Sequence, residues 1–319
     1  MKKELVAAGF VLFSLFVLFS FMLPLNASAA NFSQIFVFGD SFSDTGNTFN
    51  ATGGLVNPKN ARPPEPPYFQ GRFSNGKLWV EYFAEELRLK PTLFTALQGA
   101  TTPPTQGINF AFAGSSTGLG NAVLPDAPLP GVLAQAHLFT QPFLANNQKA
   151  DPNALYVIWG GANDYFFGEV TNVSQQVRDL SNAVGLLAQA GAKNIMVFNL
   201  PDLGKIPAKV NAPDSSKLTT LTINYNTALT AALAPFKSMP GVNIIPFDTY
   251  SIFNEALTNP SKFGFTNVKD SCANVSTFVP CTNQNEFLFY DRFHPTTATY
   301  RIVADAALAA VGAKRMSEK

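Results

Sequence analysis

Gln34-Ile-Phe-Val-Phe38 runs straight into Gly39-Asp40-Ser41. Four consecutive apolar residues without polar alternation read as a short strand buried on both faces, and the Gly-Asp pair reads as the loop that ends it. The same pattern returns along the chain. Ala154-Leu-Tyr-Val-Ile-Trp159 stops at Gly160-Gly161, Asn194-Ile-Met-Val-Phe-Asn-Leu200 stops at Pro201-Asp202, and Val242-Asn-Ile-Ile-Pro-Phe247 ends near Pro246. Residues 107–113 form a further strand candidate. Between these runs, helical spacing is predicted over 77–89 (stopped by Pro91), 132–146, 173–190 (closed by Gly191), 215–237 and 296–311. Wholly apolar strands alternating with helices predict a parallel sheet covered on both faces, hence an α/β fold built as a three-layer α/β/α sandwich. No repeat interrupts it. Residues 50–70, rich in Gly, Pro and Asn, are predicted as a long irregular excursion within this unit.

The 319 residues are 46% hydrophobic and 13% charged, with a formal net charge of +1. Such a chain can bury a core, and its balance gives no electrostatic basis for binding nucleic acid. Lys2 and Lys3 precede an apolar run over 5–25, followed by Asn26-Ala27-Ser28-Ala29-Ala30. A basic start, an apolar stretch and a small-x-small site predict a secretory signal peptide over 1–29, leaving one domain over 30–319. An uncleaved anchor is the alternative, because the run is long for a leader. No second run of that length follows, so no stable membrane span is expected after cleavage, and the expected location is secreted or periplasmic. Cys272 and Cys281 are the two cysteines of the chain, and in an exported protein they are expected to form one disulfide.

In parallel sheets, ligands gather at the carboxyl ends of strands. Three predicted strand ends carry Gly-polar clusters: Gly39-Asp40-Ser41, Gly114-Ser115-Ser116 and Gly160-Gly161-Ala162-Asn163-Asp164. Ser41 is a candidate nucleophile at the start of a helix, where free N–H groups favour developing negative charge. Turn and cap chemistry uses the same residues and is the bland reading. The Gly-x-Ser-x-Gly elbow is missing, since position 43 is Ser. A nucleophilic serine needs a base, and the chain has two histidines. His137 lies in a predicted helix and reads as a surface or half-buried residue. His294 lies in Asp291-Arg292-Phe293-His294-Pro295. An Asp three residues ahead of a His can fold back in one turn and fix its tautomer, although the turn can also be purely structural. Two histidines, without His-x-x-x-His or Glu-x-x-His spacing, argue against a catalytic metal. The Ser41 and Gly114 backbone N–H groups and the Asn163 side-chain amide are candidate oxyanion donors.

Together these segments resemble the GDSL/SGNH hydrolases, specifically their lipase-like branch. The four family blocks appear in order as Val37-Phe-Gly-Asp-Ser-Phe-Ser-Asp-Thr-Gly-Asn47, Asn109-Phe-Ala-Phe-Ala-Gly114, Gly161-Ala-Asn-Asp164 and Asp291-Arg-Phe-His294. Gly71-Arg-Phe-Ser-Asn-Gly76 is similar to a segment common in that branch. The resemblance implies a flavodoxin-like sandwich of about five parallel strands. It also implies an acyl-enzyme mechanism without a cofactor. The family's Ser, Gly, Asn and His fall on Ser41, Gly114, Asn163 and His294, with Asp291 as the third triad member. Asp40, and with it Asp44, is expected to order the nucleophile loop. The branch implies a lipid ester as substrate, as for lipases, lysophospholipases and lipid acyltransferases. A polysaccharide acetylesterase is the alternative enzyme, and a catalytically silent binding protein the alternative of another class. Phe42, Tyr165, Phe166, Phe167 and Phe293 flank the blocks and either line an acyl groove or belong to the core.

Overall fold

A computed structural model of the chain describes residues 31–168, 170–274, 276–277, 279–313 and 315. The expected leader over 1–29 lies outside the described residues. Strands β1 (Ile35–Gly39), β2 (Thr92–Leu93), β3 (Gly107–Asn109), β4 (Leu155–Trp159), β5 (Asn194–Phe198) and β6 (Asn243–Phe247) form one parallel sheet in the order β2-β3-β1-β4-β5-β6. The helices are α1 (Asn47–Ala51), α2 (Trp79–Glu86), α3 (Val132–Ala145), α4 (Ala162–Phe166), α5 (Ser174–Ala190), α6 (Ser215–Lys237), α7 (Thr249–Thr258) and α8 (Thr297–Ala310). Right-handed crossovers put α3, α5 and α6 side by side on one face, while α2 packs on α8 across the other. This is the expected α/β/α sandwich. Among the described residues no helix is long and apolar enough to cross a membrane.

Within the central sheet, two details differ from the sequence-based expectation. The sheet has a sixth strand, β2, whose two residues pair with Ile108 and Asn109 at the edge. A pair of residues carries no periodicity, so the pattern gives no sign of it. The strand expected over 107–113 is regular only over Gly107–Asn109, although Phe110 N–H and Phe112 N–H still donate to the Val37 and Gly39 carbonyls of β1 (2.8 and 3.2 Å). There the Asn109 side-chain oxygen accepts the Ala111 N–H (3.0 Å) and offers the backbone a partner outside the ladder.

The chain leaves β1 toward β3 on one side and returns to β4 on the other. Such a reversal opens a crevice beyond the carboxyl end of β1. Beneath it lies a row of rings. Phe42 stacks on Trp159 (centroids 4.8 Å), Trp159 on Phe198 (4.8 Å), and Phe198 packs on Phe247 (4.3 Å). Each such pair contributes about 0.5–1.5 kcal/mol beyond its burial, and replacing Trp159 by Ala would cost about 3–5 kcal/mol.

A second, smaller assembly sits beside the sandwich. Strand β7 (Asn267–Ser271) pairs with β10 (Phe287–Phe289), and β8 (Ala273–Asn274) with β9 (Val279–Pro280). Cys272 and Cys281 are joined in a disulfide that brackets β8 and β9. Cys272, Ala273, Tyr290 and Tyr68 form a satellite core with Phe73, Cys281 and Phe287 against it.

Candidate active site

The end of β1 turns sharply. Ser43 N–H and Asp44 N–H both donate to the Asp40 carbonyl (3.0 Å each), and Phe42 N–H donates to Asp40 Oδ1 (3.0 Å). Ser41 therefore sits in a turn six residues before the short helix α1, not at a helix start, so a helix dipole has no part at Ser41. Asp44 completes the loop by accepting N–H bonds from Gly46 (2.9 Å), Asn47 (2.6 Å), Thr48 (3.0 Å) and Ala113 (2.9 Å). Asn47 Nδ2 donates to the carbonyls of Asn109 (2.8 Å) and Ala111 (3.0 Å), and Asn109 Nδ2 returns a bond to the Ser43 carbonyl (2.7 Å). The first two sequence blocks are thus sewn together by polar side chains, every one of them buried.

Asp291 and His294 lie in the turn between β10 and α8. Asp291 Oδ1 accepts the N–H groups of Phe293 and His294 (2.7 Å each), the local bonding that lets an Asp close a turn on itself. The chain then returns, with Tyr290 N–H donating to the His294 carbonyl (2.8 Å). His294 Nδ1 lies 2.7 Å from Asp291 Oδ2 and 2.9 Å from Oδ1. An ionised carboxylate only accepts, so Nδ1 carries the proton and Nε2 is left as the acceptor. Ser41 Oγ, 2.8 Å away, donates to Nε2. Burial pushes the Asp291 carboxyl up, but the facing His294 and the hydroxyl of Tyr68 outweigh it and hold it below the usual carboxylate range. Tyr68 donates to Asp291 Oδ2 at 2.7 Å. Its place there was not legible in the sequence, since it lies in the Pro-rich excursion.

Asn163 lies in the first turn of α4, just after β4. Its amide donates to the Ser115 carbonyl (3.0 Å) and lies 3.4 Å from Asp40 Oδ2. Gly161, just before it, has φ +121°, and a Cβ there would stand 2.7 Å from the Tyr225 hydroxyl. Only glycine fits there, which explains the second glycine of the pair ahead of Asn163. Gly114 also has positive φ (+80°), and a Cβ would meet Asn121 Oδ1 at 2.6 Å. Among the described residues the Ser41 and Gly114 N–H groups have no protein acceptor. Burial raises the Asp40 carboxyl to about 7, against the Phe42 N–H and His294, which lower it.

Asp40, Ser41, Asn163, Asp291 and His294 line one cleft of 540 Å³. Gly114 is not among the lining residues but adjoins Val123, which is, since a Cβ at Gly114 would stand 2.8 Å from the Val123 Cβ. Four of the five sequence-predicted site residues therefore meet in one cavity, and the fifth adjoins one of its lining residues. His137 is exposed and remote from it, as expected. The flanking aromatics divide. Phe42 lines the cleft from the ring row, Tyr165 is buried core, and Phe166, Phe167 and Phe293 form a ring cluster on the cleft wall (centroids 5.4–6.2 Å).

A serine hydroxyl bonded to a carboxylate-held imidazole, with unpaired N–H groups nearby, is equipped for acyl transfer. The fold and the site thus present a candidate hydrolase centre on an α/β/α scaffold. The chain matches the GDSL-like lipase/acylhydrolase family over residues 35–307 and belongs to that family. It is a carboxylic ester hydrolase. It is 32% identical over 293 residues to a thermolabile hemolysin of Vibrio parahaemolyticus, covering 86% of this chain and 63% of that one. It is 28% identical to GDSL esterase/lipase 6 of Arabidopsis thaliana, covering 88% of each. A phosphatidylcholine-sterol acyltransferase of Aeromonas hydrophila is 30% identical over 244 residues, covering 76% of this chain and 65% of that one. A carbohydrate acetylesterase from Sinorhizobium meliloti is similar in structure at a TM-score of 0.46 and 16% identity, covering 88% of this chain and 98% of that one.

Proposed function

We propose that the chain is an exported, single-domain enzyme that cleaves lipid esters through an acyl-enzyme on Ser41. Ser41 Oγ attacks the ester carbonyl while His294 Nε2 takes its proton, and Asp291 supports the imidazolium. The Ser41 and Gly114 N–H groups and the Asn163 amide receive the oxyanion. Nε2–H then protonates the departing alcohol, leaving the acyl group on Ser41. Water, or a second alcohol, repeats the sequence and frees the serine. No cofactor or metal enters.

The observation that carries the lipid reading is the wall of the cleft. Ala61, Pro63, Pro64, Val123, Phe166, Phe167 and Phe293 line it beside the nucleophile. An acetyl group would leave most of that surface unused, so the apolar lining favours a long acyl chain over a polysaccharide acetyl ester. Lys59, Arg62 and Arg292 line the same cleft, are exposed, and hold no ion pair among the described residues. They favour an ester whose alcohol part carries an anionic group. The name of the Aeromonas relative pairs a phospholipid with a sterol acceptor, which agrees with this reading. Export rests on the predicted leader and on the disulfide, which suits an oxidising compartment.

A chain-length series of nitrophenyl esters tests it, followed by long-chain esters of neutral and phosphate-bearing alcohols. A rise in kcat/KM with chain length and a preference for the phosphate-bearing alcohol are expected. Activity confined to acetyl esters would replace the lipid reading with the carbohydrate one, and no turnover at all would leave a binding protein.

A further inference from the structure

We infer that Tyr68 is a positioning residue for the Asp291–His294 pair, held in place by the disulfide-bracketed satellite core. The inference rests on the acyl-enzyme reading of the site.

Asp291 must keep one orientation to hold the imidazole. Two of its donors, the Phe293 and His294 N–H groups, belong to its own turn and move with it. Tyr68 is different. It reaches Asp291 Oδ2 from a segment 223 residues away and ties the carboxylate to another part of the fold. The tie is reciprocal, because the Tyr290 hydroxyl donates to the Pro67 carbonyl at 2.6 Å. Each tyrosine thus bonds the residue next to the other. The two rings meet edge to face (centroids 5.5 Å), and Phe73, beside Tyr68 at 5.7 Å, faces the His294 ring at 5.0 Å. A phenol beside a buried carboxylate stays protonated, since burial and then the Asp291 charge push it far above its usual range. Tyr68 is therefore a permanent donor.

The disulfide reaches the same place. Cys272 N–H donates to the Phe289 carbonyl (3.1 Å), Ala273 N–H to the Tyr290 carbonyl (2.6 Å), and Cys281 N–H to the Cys272 carbonyl (2.8 Å). The bridge, β8 and Tyr290 form one packed unit with Tyr68. Contacts run without a gap from the bridge through Tyr290 and Tyr68 to Asp291, His294 and Ser41. No residue of that route other than the last three touches the reacting atoms.

Tyr68→Phe deletes one oxygen and keeps the ring packing. Its kcat should fall roughly tenfold at unchanged KM, because a wandering base forfeits alignment. The acid limb of kcat/KM should move to higher pH. Without the phenol, the carboxylate charge is less dispersed and holds the imidazolium more tightly, so the base is lost sooner on acidification. Because Tyr68 also lines the cleft, substrate contact is the competing role, and it would appear in KM. Wild-type kcat, a loss confined to KM, or a pH profile superimposable on that of the wild type would each overturn the inference. A second arm tests the disulfide's part. Cys272→Ser with Cys281→Ser should lower kcat in the parent and change it little further in Tyr68→Phe, because coupled groups are not additive. Additive losses would remove the bridge from the route. Ser41→Ala, assayed in parallel, separates the two levels. Full turnover there overturns the site reading itself, whereas a dead Ser41→Ala beside a normal Tyr68→Phe overturns only the role of Tyr68.

Discussion

His294 Nε2 stands 2.8 Å from Ser41 Oγ, although 253 residues of chain separate them. Ser41 is fixed by the end of β1, and His294 by the turn that enters α8. The hydrogen bond between them depends on both the sandwich and the satellite core being in register.

Asn163 is placed by Gly161, and its amide already spends one N–H on the Ser115 carbonyl. The other donates over a longer 3.4 Å to Oδ2 of Asp40, itself a cleft residue. Asn163→Ala should lower kcat by roughly 10²–10³ with a smaller change in KM, the signature of an interaction made in the transition state. Steady-state kinetics on one nitrophenyl ester reads this directly. A change in KM alone would make Asn163 a substrate-binding residue.

Removing the Cys272–Cys281 bridge should also cost stability. On the chain-entropy model a loop this short is worth about 2–3 kcal/mol, less any strain. Thermal melts of the reduced protein and of the double serine variant should both show a lower Tm. Equal melting temperatures with and without the bridge would contradict this.

Asp40 gives a pH dependence with a definite sign. Its folded-state carboxyl, raised by burial to about 7, lies above the ordinary aspartate value of 3.8. Ionising it is easier in the unfolded chain, so the stability tied to the neutral form is complete below about 4 and is lost as pH rises to about 7. Asp164, raised by burial to about 6, acts in the same direction over part of that window. Asp40→Asn cannot ionise. Its stability relative to wild type should therefore climb between pH 4 and pH 7 and level off above, as read by denaturant melts at several pH values. A constant difference across that range would show that Asp40 titrates normally.

Much of this was legible in the sequence for a physical reason. Strands β1, β4 and β5 are buried on both faces, so they read as unbroken apolar runs, and α6 was bounded to the residue by its periodicity. The Asp291–His294 contact is local, closed within one turn, so spacing alone suggested it. What stayed hidden depends on tertiary meetings. Strand β2 is too short to carry a pattern. Tyr68 lies in a Pro-rich stretch without periodicity, and only the folded chain brings it to Asp291. The cations Lys59, Arg62 and Arg292 are scattered in sequence and share a cleft only because the excursion folds over the nucleophile loop. The helix expected at Ser41 was misplaced because Ser-Asp-Gly chemistry suits turns and caps equally.

A fluorophosphonate probe tests whether Ser41 is the nucleophile. Wild-type protein should gain one adduct, found by mass spectrometry on the peptide that contains Ser41. Folded Ser41→Ala should gain none and should lose about six orders of magnitude in kcat, as when a triad serine is removed. A folded Ser41→Ala protein that still turns over ester at the wild-type rate, or an adduct on a different residue, would contradict it.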